Sequence, residues 1–198
     1  MYPRDWAADQ TLARRAAARA ELERGRSLDP PSLAEAAARE RARRASAEPV
    51  VAFGPVGTAG EENVSVIVTP ATPGFTSMRQ LVAADNSAAP PAEREAEYLL
   101  RTTIAPEGSG KVAELLGARE RVDAAGRSLF EMEYTVRGRA FYRHNVAVLC
   151  VAGGRLLTLN AQAAEEDWQA DTGRRARLRA CAESFAVVAD ATGGVPTF

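Results

Sequence analysis

The alternation of apolar and polar residues near the carboxyl end predicts three consecutive strands followed by a helix. Every second residue of the first run is apolar: Phe130, Met132, Tyr134 and Val136. The second run, residues 140–151, is rich in β-branched and aromatic residues, and the third covers residues 156–162. A repeat of two is typical of a half-buried strand.

The dipeptide Gly153-Gly154 fixes the pairing of the second and third strands, because glycine tolerates positive φ at both positions of a two-residue turn. The register then places Cys150 opposite Leu157, Val148 opposite Leu159 and Val146 opposite Ala161. Thr158, Asn160 and Gln162 lie on the other face of the returning strand. We therefore expect an antiparallel sheet with one face covered by a core.

The connection between the first and second strands is harder to place. A two-residue loop would turn the apolar residues of the first strand away from that core, whereas a three-residue loop over residues 137–139, or a β-bulge near it, restores agreement. We predict the three-residue loop, which places Met132 across from His144.

The helix that follows should cover the apolar face. Asp171 or Thr172 can cap it. One arc of its helical wheel is apolar and consists of Leu178, Cys181, Ala182 and Phe185. Trp168 precedes the cap and is expected on the same side.

Upstream patterns predict further strands over residues 50–53, 63–69 and 112–122, and helices from residue 76 through Leu81 and Val82 and over residues 92–103. Residues 1–48 are Ala/Arg-rich and are predicted to form an extension with helices at 9–24 and 33–47, and residues 189–198 are predicted to form a disordered tail. The main domain then covers residues 49–188. The fold class is α+β, with helices on a mostly antiparallel sheet of about six strands.

Composition restricts the function classes. With 25 basic and 26 acidic residues and a net charge of −1, the chain shows no bias towards nucleic acid. No apolar run approaches the length of a membrane span. Residues 1–48 lack the apolar stretch of a signal peptide, and their acidic residues argue against a transit peptide.

The two cysteines, Cys150 and Cys181, both fall on core-facing positions. Two interpretations remain open: buried free thiols, or a disulfide that ties the helix to the sheet in an oxidising compartment. Free thiols are favoured, because a bridge needs Cα atoms within about 7 Å.

Catalytic patterns are scarce. His144 is the one histidine in the sequence, and no Gly-x-Ser-x-Gly motif is present. The run Gly108-Ser109-Gly110-Lys111 lacks the spacing of a phosphate loop. The acidic run 165–167 can bind Ca²⁺, although a solvated helix start is favoured. We expect a protein that is not an enzyme.

Several of these features together resemble the PsbP family of thylakoid-lumen extrinsic proteins. They are the Gly-Gly hairpin, Ala161-Gln162-Ala163, Glu165, Trp168, an Arg-rich helix ending in Ser184-Phe185, and the upstream run from Asn63 to Pro70. The resemblance covers roughly residues 49–188. It implies an α-β-α sandwich and, for His144 and Glu165, a role in binding a partner or a metal, with calcium as the possible ion.

The resemblance implies a non-catalytic protein, peripheral on the lumenal membrane face of the chloroplast thylakoid and associated with photosystem II. Its work there would be to retain calcium and chloride at the oxygen-evolving complex, or to assist assembly or repair. An assembly factor for photosystem I or for the NAD(P)H dehydrogenase complex is the alternative. A Ran-binding regulator of similar fold is a third possibility, disfavoured by the tryptophan and Ser-Phe signature.

The chain also departs from the family pattern. The Gly-aromatic hairpin and Pro-x-x-Trp segment that open the family's domain are expected to be replaced by the Ala/Arg helices. The long loop between the central strands is cut to residues 137–139. The sequence therefore predicts a divergent member of the family.

Overall fold

The computed structural model describes residues 6–8, 49–56, 61–80 and 91–187. Within them, seven strands form one sheet with antiparallel neighbours in the order β1-β2-β3-β7-β6-β5-β4. The strands are β1 (Trp6–Ala8), β2 (Val51–Pro55), β3 (Asn63–Pro70), β4 (Val112–Val122), β5 (Ser128–Arg137), β6 (Tyr142–Ala152) and β7 (Arg155–Ala164).

Three α-helices are described: α1 (Pro91–Leu99), α2 (Glu165–Ala170) and α3 (Thr172–Glu183). Helix α1 continues into a π-helical turn over Leu100–Ile104, and a 3-10 turn covers Met78–Gln80. None of the described helices has the length and apolarity needed to cross a bilayer.

The sheet is covered on both faces. On one face, α2 and α3 pack on a core that includes Val148, Leu159 and Leu178. On the other, α1 packs on a second core that includes Phe130 and Met132. The α+β class and the sandwich are therefore confirmed, and the sheet has one strand more than expected.

The β6–β7 hairpin has the predicted register. Cys150 pairs with Leu157, and Val148 pairs with Leu159. The φ angles of Gly153 and Gly154 are 55° and 69°. Positive φ at both central positions gives a turn whose twist matches the flanking strands, and this fixes the register.

The predicted β5–β6 connection is wrong. Arg137 pairs with Tyr142, so four residues lie between the paired ends, and Met132 faces Ala147 instead of His144. The Gly138 N–H donates to the Phe141 carbonyl at 2.9 Å and closes the loop. The apolar residues of β5 therefore point to the second core, because a sheet covered on both faces buries both sets of side chains.

The carboxyl-terminal helix packs as the sequence predicts. Asp171 caps α3 by accepting a hydrogen bond from the Arg174 N–H at 3.0 Å. Leu178 is fully buried on the sheet, and Phe185 is buried beyond the helix end. Cys150 and Cys181 are buried free thiols, as favoured, and burial raises the pKa of each.

The start of the chain corrects one expectation. Residues Trp6–Ala8, assigned above to the helical extension, form a strand that pairs with β2, and Trp6 is buried in the first core. Pro3 and Trp6 also have the Pro-x-x-Trp spacing of the family pattern. The expectation that helices replace this segment is therefore wrong for Trp6–Ala8. A large buried ring supplies more apolar burial than the neighbouring alanines, which explains why this segment joins the sheet.

Several sequence predictions lie outside the described residues. They are the helices at 9–24 and 33–47, the end of the helix through Leu81 and Val82, and the tail over residues 189–198.

Candidate functional site

His144 lies on β6, on the face that α2 and α3 cover. It pairs with Thr135 on β5 and Ala163 on β7. Only 2% of its surface is exposed. Since β6 alternates its side chains, His144 shares its face with Val146 and Val148 and forms the polar end of the first core.

Two carboxylates bind the imidazole ring. Nδ1 lies 2.8 Å from Oε2 of Glu165, and Nε2 lies 2.8 Å from Oε1 of Glu133. A neutral imidazole has one N–H donor, whereas an imidazolium has two, and an ionised carboxylate only accepts. Each ring nitrogen therefore has one carboxylate partner, and the two hydrogen bonds together require one proton more than a neutral imidazole and two ionised carboxylates supply.

Local chain geometry brings Glu165 and Trp168 to this ring. The end of β7 leads directly into α2, and residues three apart on a helix share a face. The Trp168 ring stacks on His144 with centroids 3.9 Å apart and planes 9° apart, and it is 1% exposed. Gln169 donates to Oε1 of Glu165 at 2.7 Å and holds that carboxylate in place.

Helix α3 contributes one further side chain to the cluster. Arg179 donates from Nη2 to Oε1 of Glu133 at 2.7 Å, and its guanidinium lies 5.5 Å from the Trp168 ring centroid. Hydrogen bonds from His144 and, to a smaller extent, from Arg179 lower the pKa of Glu133 to about 2. Glu133 is therefore ionised at any neutral or mildly acidic pH, and the network joins β5, β6, α2 and α3.

The structure places the two predicted site residues in direct contact and adds three more: Glu133 and Arg179, which the sequence did not indicate, and Trp168, which it indicated only as a core residue. Glu133 was missed because the predicted β5–β6 register placed it on the face of the sheet opposite to His144. In the observed register Glu133 is the diagonal neighbour of His144 on the same face, a position that long side chains can bridge.

The cluster does not fit a calcium ion. Calcium takes about six to eight oxygen ligands. In this cluster the carboxylates of Glu165 and Glu133 are already bonded to the nitrogens of His144, and Glu133 also accepts a hydrogen bond from Arg179. No group of three or more His, Cys, Asp or Glu side chains in the described ranges is placed to hold a metal. Calcium binding by this chain stays a prediction.

A groove of about 420 Å³ adjoins the cluster, between β4 and α3. Its lining consists of Leu116, Gly117, Ala118, Arg119, Glu131, Glu133, Arg179 and Glu183. Arg119 donates to Oε1 of Glu131 at 2.7 Å, beside the Arg179–Glu133 pair. The lining is a set of paired charges without a Ser, Thr, Cys or His nucleophile.

Comparison with known proteins identifies relatives over most of the chain. The PsbP family model matches residues 39–187. The chain is 42% identical to PsbP domain-containing protein 7, chloroplastic, from Arabidopsis thaliana over 174 residues, which cover 85% of this chain. The match covers 55% of that relative, so the chain spans about half its length.

Two further relatives extend the comparison. CyanoP from Thermosynechococcus vestitus is 31% identical over 112 residues, which cover 54% of this chain and 56% of that protein. The solution structure of CyanoP from Synechocystis sp. PCC 6803 superposes with a TM-score of 0.56 at 20% identity, covering 94% of this chain and 84% of that one. The superposition shows a shared fold.

Proposed function

This chain belongs to the PsbP family, and we propose that it is a non-catalytic protein that docks on photosystem II at the lumenal face of the thylakoid membrane. Its role there is to support the oxygen-evolving complex, through calcium and chloride retention or through assembly and repair. The proposal treats the molecule as a rigid docking scaffold.

The observation that carries the proposal is the buried network around His144. Its hydrogen bonds and ring stacking hold two strands and two helices in one arrangement. Burial of 98% keeps His144 itself away from a partner. The network instead fixes the exposed Arg179 and the groove beside it, and a preorganised surface lowers the entropy cost of binding.

The same geometry favours binding over chemistry. His144 has a carboxylate at each nitrogen and a stacked Trp168, so neither nitrogen is directed to a substrate. The adjoining groove presents paired charges, which determine orientation and partner choice at protein interfaces. Chloroplast relatives and a cyanobacterial relative support a photosynthetic setting.

The test is binding of the purified chain to isolated photosystem II, photosystem I and NAD(P)H dehydrogenase complexes. We expect binding to photosystem II that high salt releases, because paired surface charges are screened by ions. Binding to one of the other two complexes instead would support the alternative assembly role, and binding to none would refute the proposal.

A pair of charge reversals locates the docking surface. Glu183→Arg reverses the charge of the exposed carboxylate at the groove and should weaken binding about tenfold or more. Glu97→Arg makes the same charge change at an exposed position of α1, on the opposite face of the sheet, and should leave binding unchanged. Equal effects of the two substitutions would show that this surface is not the docking site.

A further inference from the structure

Among the residues that the structure describes, strand β4 is an edge of the sheet and pairs with β5 on one side only. At eleven residues it is long for an edge strand, and such an edge presents unpaired N–H and C=O groups to another chain. Three of its apolar side chains are well exposed: Val112 at 71%, Leu116 at 50% and Val122 at 64%. An exposed edge of this kind is suited to strand addition.

A β-bulge interrupts this strand next to the groove. Leu115 pairs with Tyr134 and Gly117 pairs with Glu133, so Leu116 is the extra residue. A Cβ atom built on Gly117 would meet no atom within 4 Å. The groove is therefore open directly above Gly117, at the point where the bulge redirects the edge.

The charges of the groove indicate the sign of its occupant. Of its three carboxylates, Glu131 pairs with Arg119 and Arg121, and Glu133 pairs with Arg179 and His144. Glu183 is the least neutralised of the three, because its side chain is 63% exposed and its contact with Arg119, at 3.7 Å, is longer than the 2.7 Å contact of Arg119 with Glu131. A cationic side chain complements the weakly paired carboxylate of Glu183.

We propose that β4 receives an extended segment of a partner protein, which adds to the sheet as a further strand and places a Lys or Arg side chain in the groove above Gly117. This inference rests on the proposed function and names the partner chemistry at that site. Strand addition supplies affinity through main-chain hydrogen bonds, and the groove supplies selectivity through one side chain.

A segment bound at this position also contacts side chains of the His144 network. Arg179 and Glu133 line the groove, and Glu133 is the ligand of His144 Nε2. A cation placed beside Glu133 competes with Arg179 for that carboxylate. The bound Lys or Arg side chain therefore affects both the lining of the groove and the hydrogen bonds of the His144 network.

The test uses synthetic peptides that cover the lumenal segments of photosystem II, photosystem I and NAD(P)H dehydrogenase subunits. Binding is measured with the full chain and with Gly117→Ala and Gly117→Trp. The alanine variant adds one methyl group to an open position, whereas the indole fills the groove. Neither strains the backbone, because Gly117 has no positive φ.

We expect the captured peptides to contain a Lys or Arg, to bind the wild type and Gly117→Ala alike, and to lose about tenfold or more in affinity with Gly117→Trp. Replacing that basic residue by Glu should abolish binding. N-methylation at alternate peptide positions should do the same, because it removes the ladder donors. Amide resonances of residues 116–119 should shift on binding.

Three results would overturn the inference. One is capture of acidic peptides, or of none at all. Another is equal binding by Gly117→Trp with unchanged urea stability. The third is dimerisation of the chain that Gly117→Trp abolishes, which would make a second copy the occupant. If Gly117→Trp still binds photosystem II, the strand-addition inference fails while the proposed function stands.

Discussion

Glu95 offers a direct test of the packing between α1 and the sheet. It is 2% exposed, and neither carboxylate oxygen has a hydrogen-bond donor in the described structure. Its neighbours in the second core include Met78, Phe130 and Leu149. Burial, and next the charge of Glu120, raise the pKa of Glu95 to about 7, while the charges of Arg79 and Arg94 act in the opposite direction.

The sign of the pH dependence follows from that shift. The native chain holds the Glu95 proton up to about pH 7, whereas the unfolded chain releases it near the ordinary value of about 4.3. Stability therefore falls as the pH rises from about 4.5 to about 7, and the loss is complete above that range. At about 1.4 kcal/mol per pKa unit, the loss is on the order of 3 kcal/mol.

Glu95→Gln keeps the shape of the protonated carboxyl group and cannot ionise. We expect its free energy of unfolding to equal that of the wild type near pH 4 and to exceed it by on the order of 3 kcal/mol near pH 8. Urea unfolding monitored by the fluorescence of Trp6 and Trp168, both buried, gives this quantity at each pH.

Glu97→Gln, an exposed substitution on the same helix, is the matched control and should change stability little at either pH. A Glu95→Gln protein that is less stable than the wild type near pH 8, or that keeps the wild-type pH dependence, would refute the reasoning. The carboxylate would then have a compensating partner in solution.

Three further predictions concern the site and its hairpin. Trp168→Ala removes a fully buried ring stacked on His144 and should cost about 3–5 kcal/mol in urea unfolding; a cost below about 1 kcal/mol would show that the ring is not packed as described. Glu133 has a lowered pKa, so its stabilisation is present above about pH 4.5 and lost towards pH 2; Glu133→Gln should therefore cost on the order of 2 kcal/mol near pH 7 and little near pH 2, and a pH-independent cost would contradict this. Gly154→Val at a φ of 69° should lower the unfolding free energy by about 1–2 kcal/mol, and an unchanged Tm would argue against that turn.

The sequence alone determined the features that depend on neighbouring residues. Gly153 and Gly154 fix a two-residue turn, so the register of β6 against β7 follows from counting outward. The stripe of Leu178, Cys181 and Ala182 follows from the helical repeat. Together with the tryptophan of α2, these local patterns were enough to identify the family.

Tertiary structure decided the β5–β6 register and, with it, the partners of His144. The loop between Arg137 and Tyr142 has no two-residue turn signal, and its length sets which face each β5 side chain occupies. The predicted register assumed one buried face, whereas α1 covers the other. Glu133 and His144 lie on consecutive strands, but Arg179 is 46 residues from Glu133 on a helix that packs over them, and no local pattern specifies how that helix meets the strands.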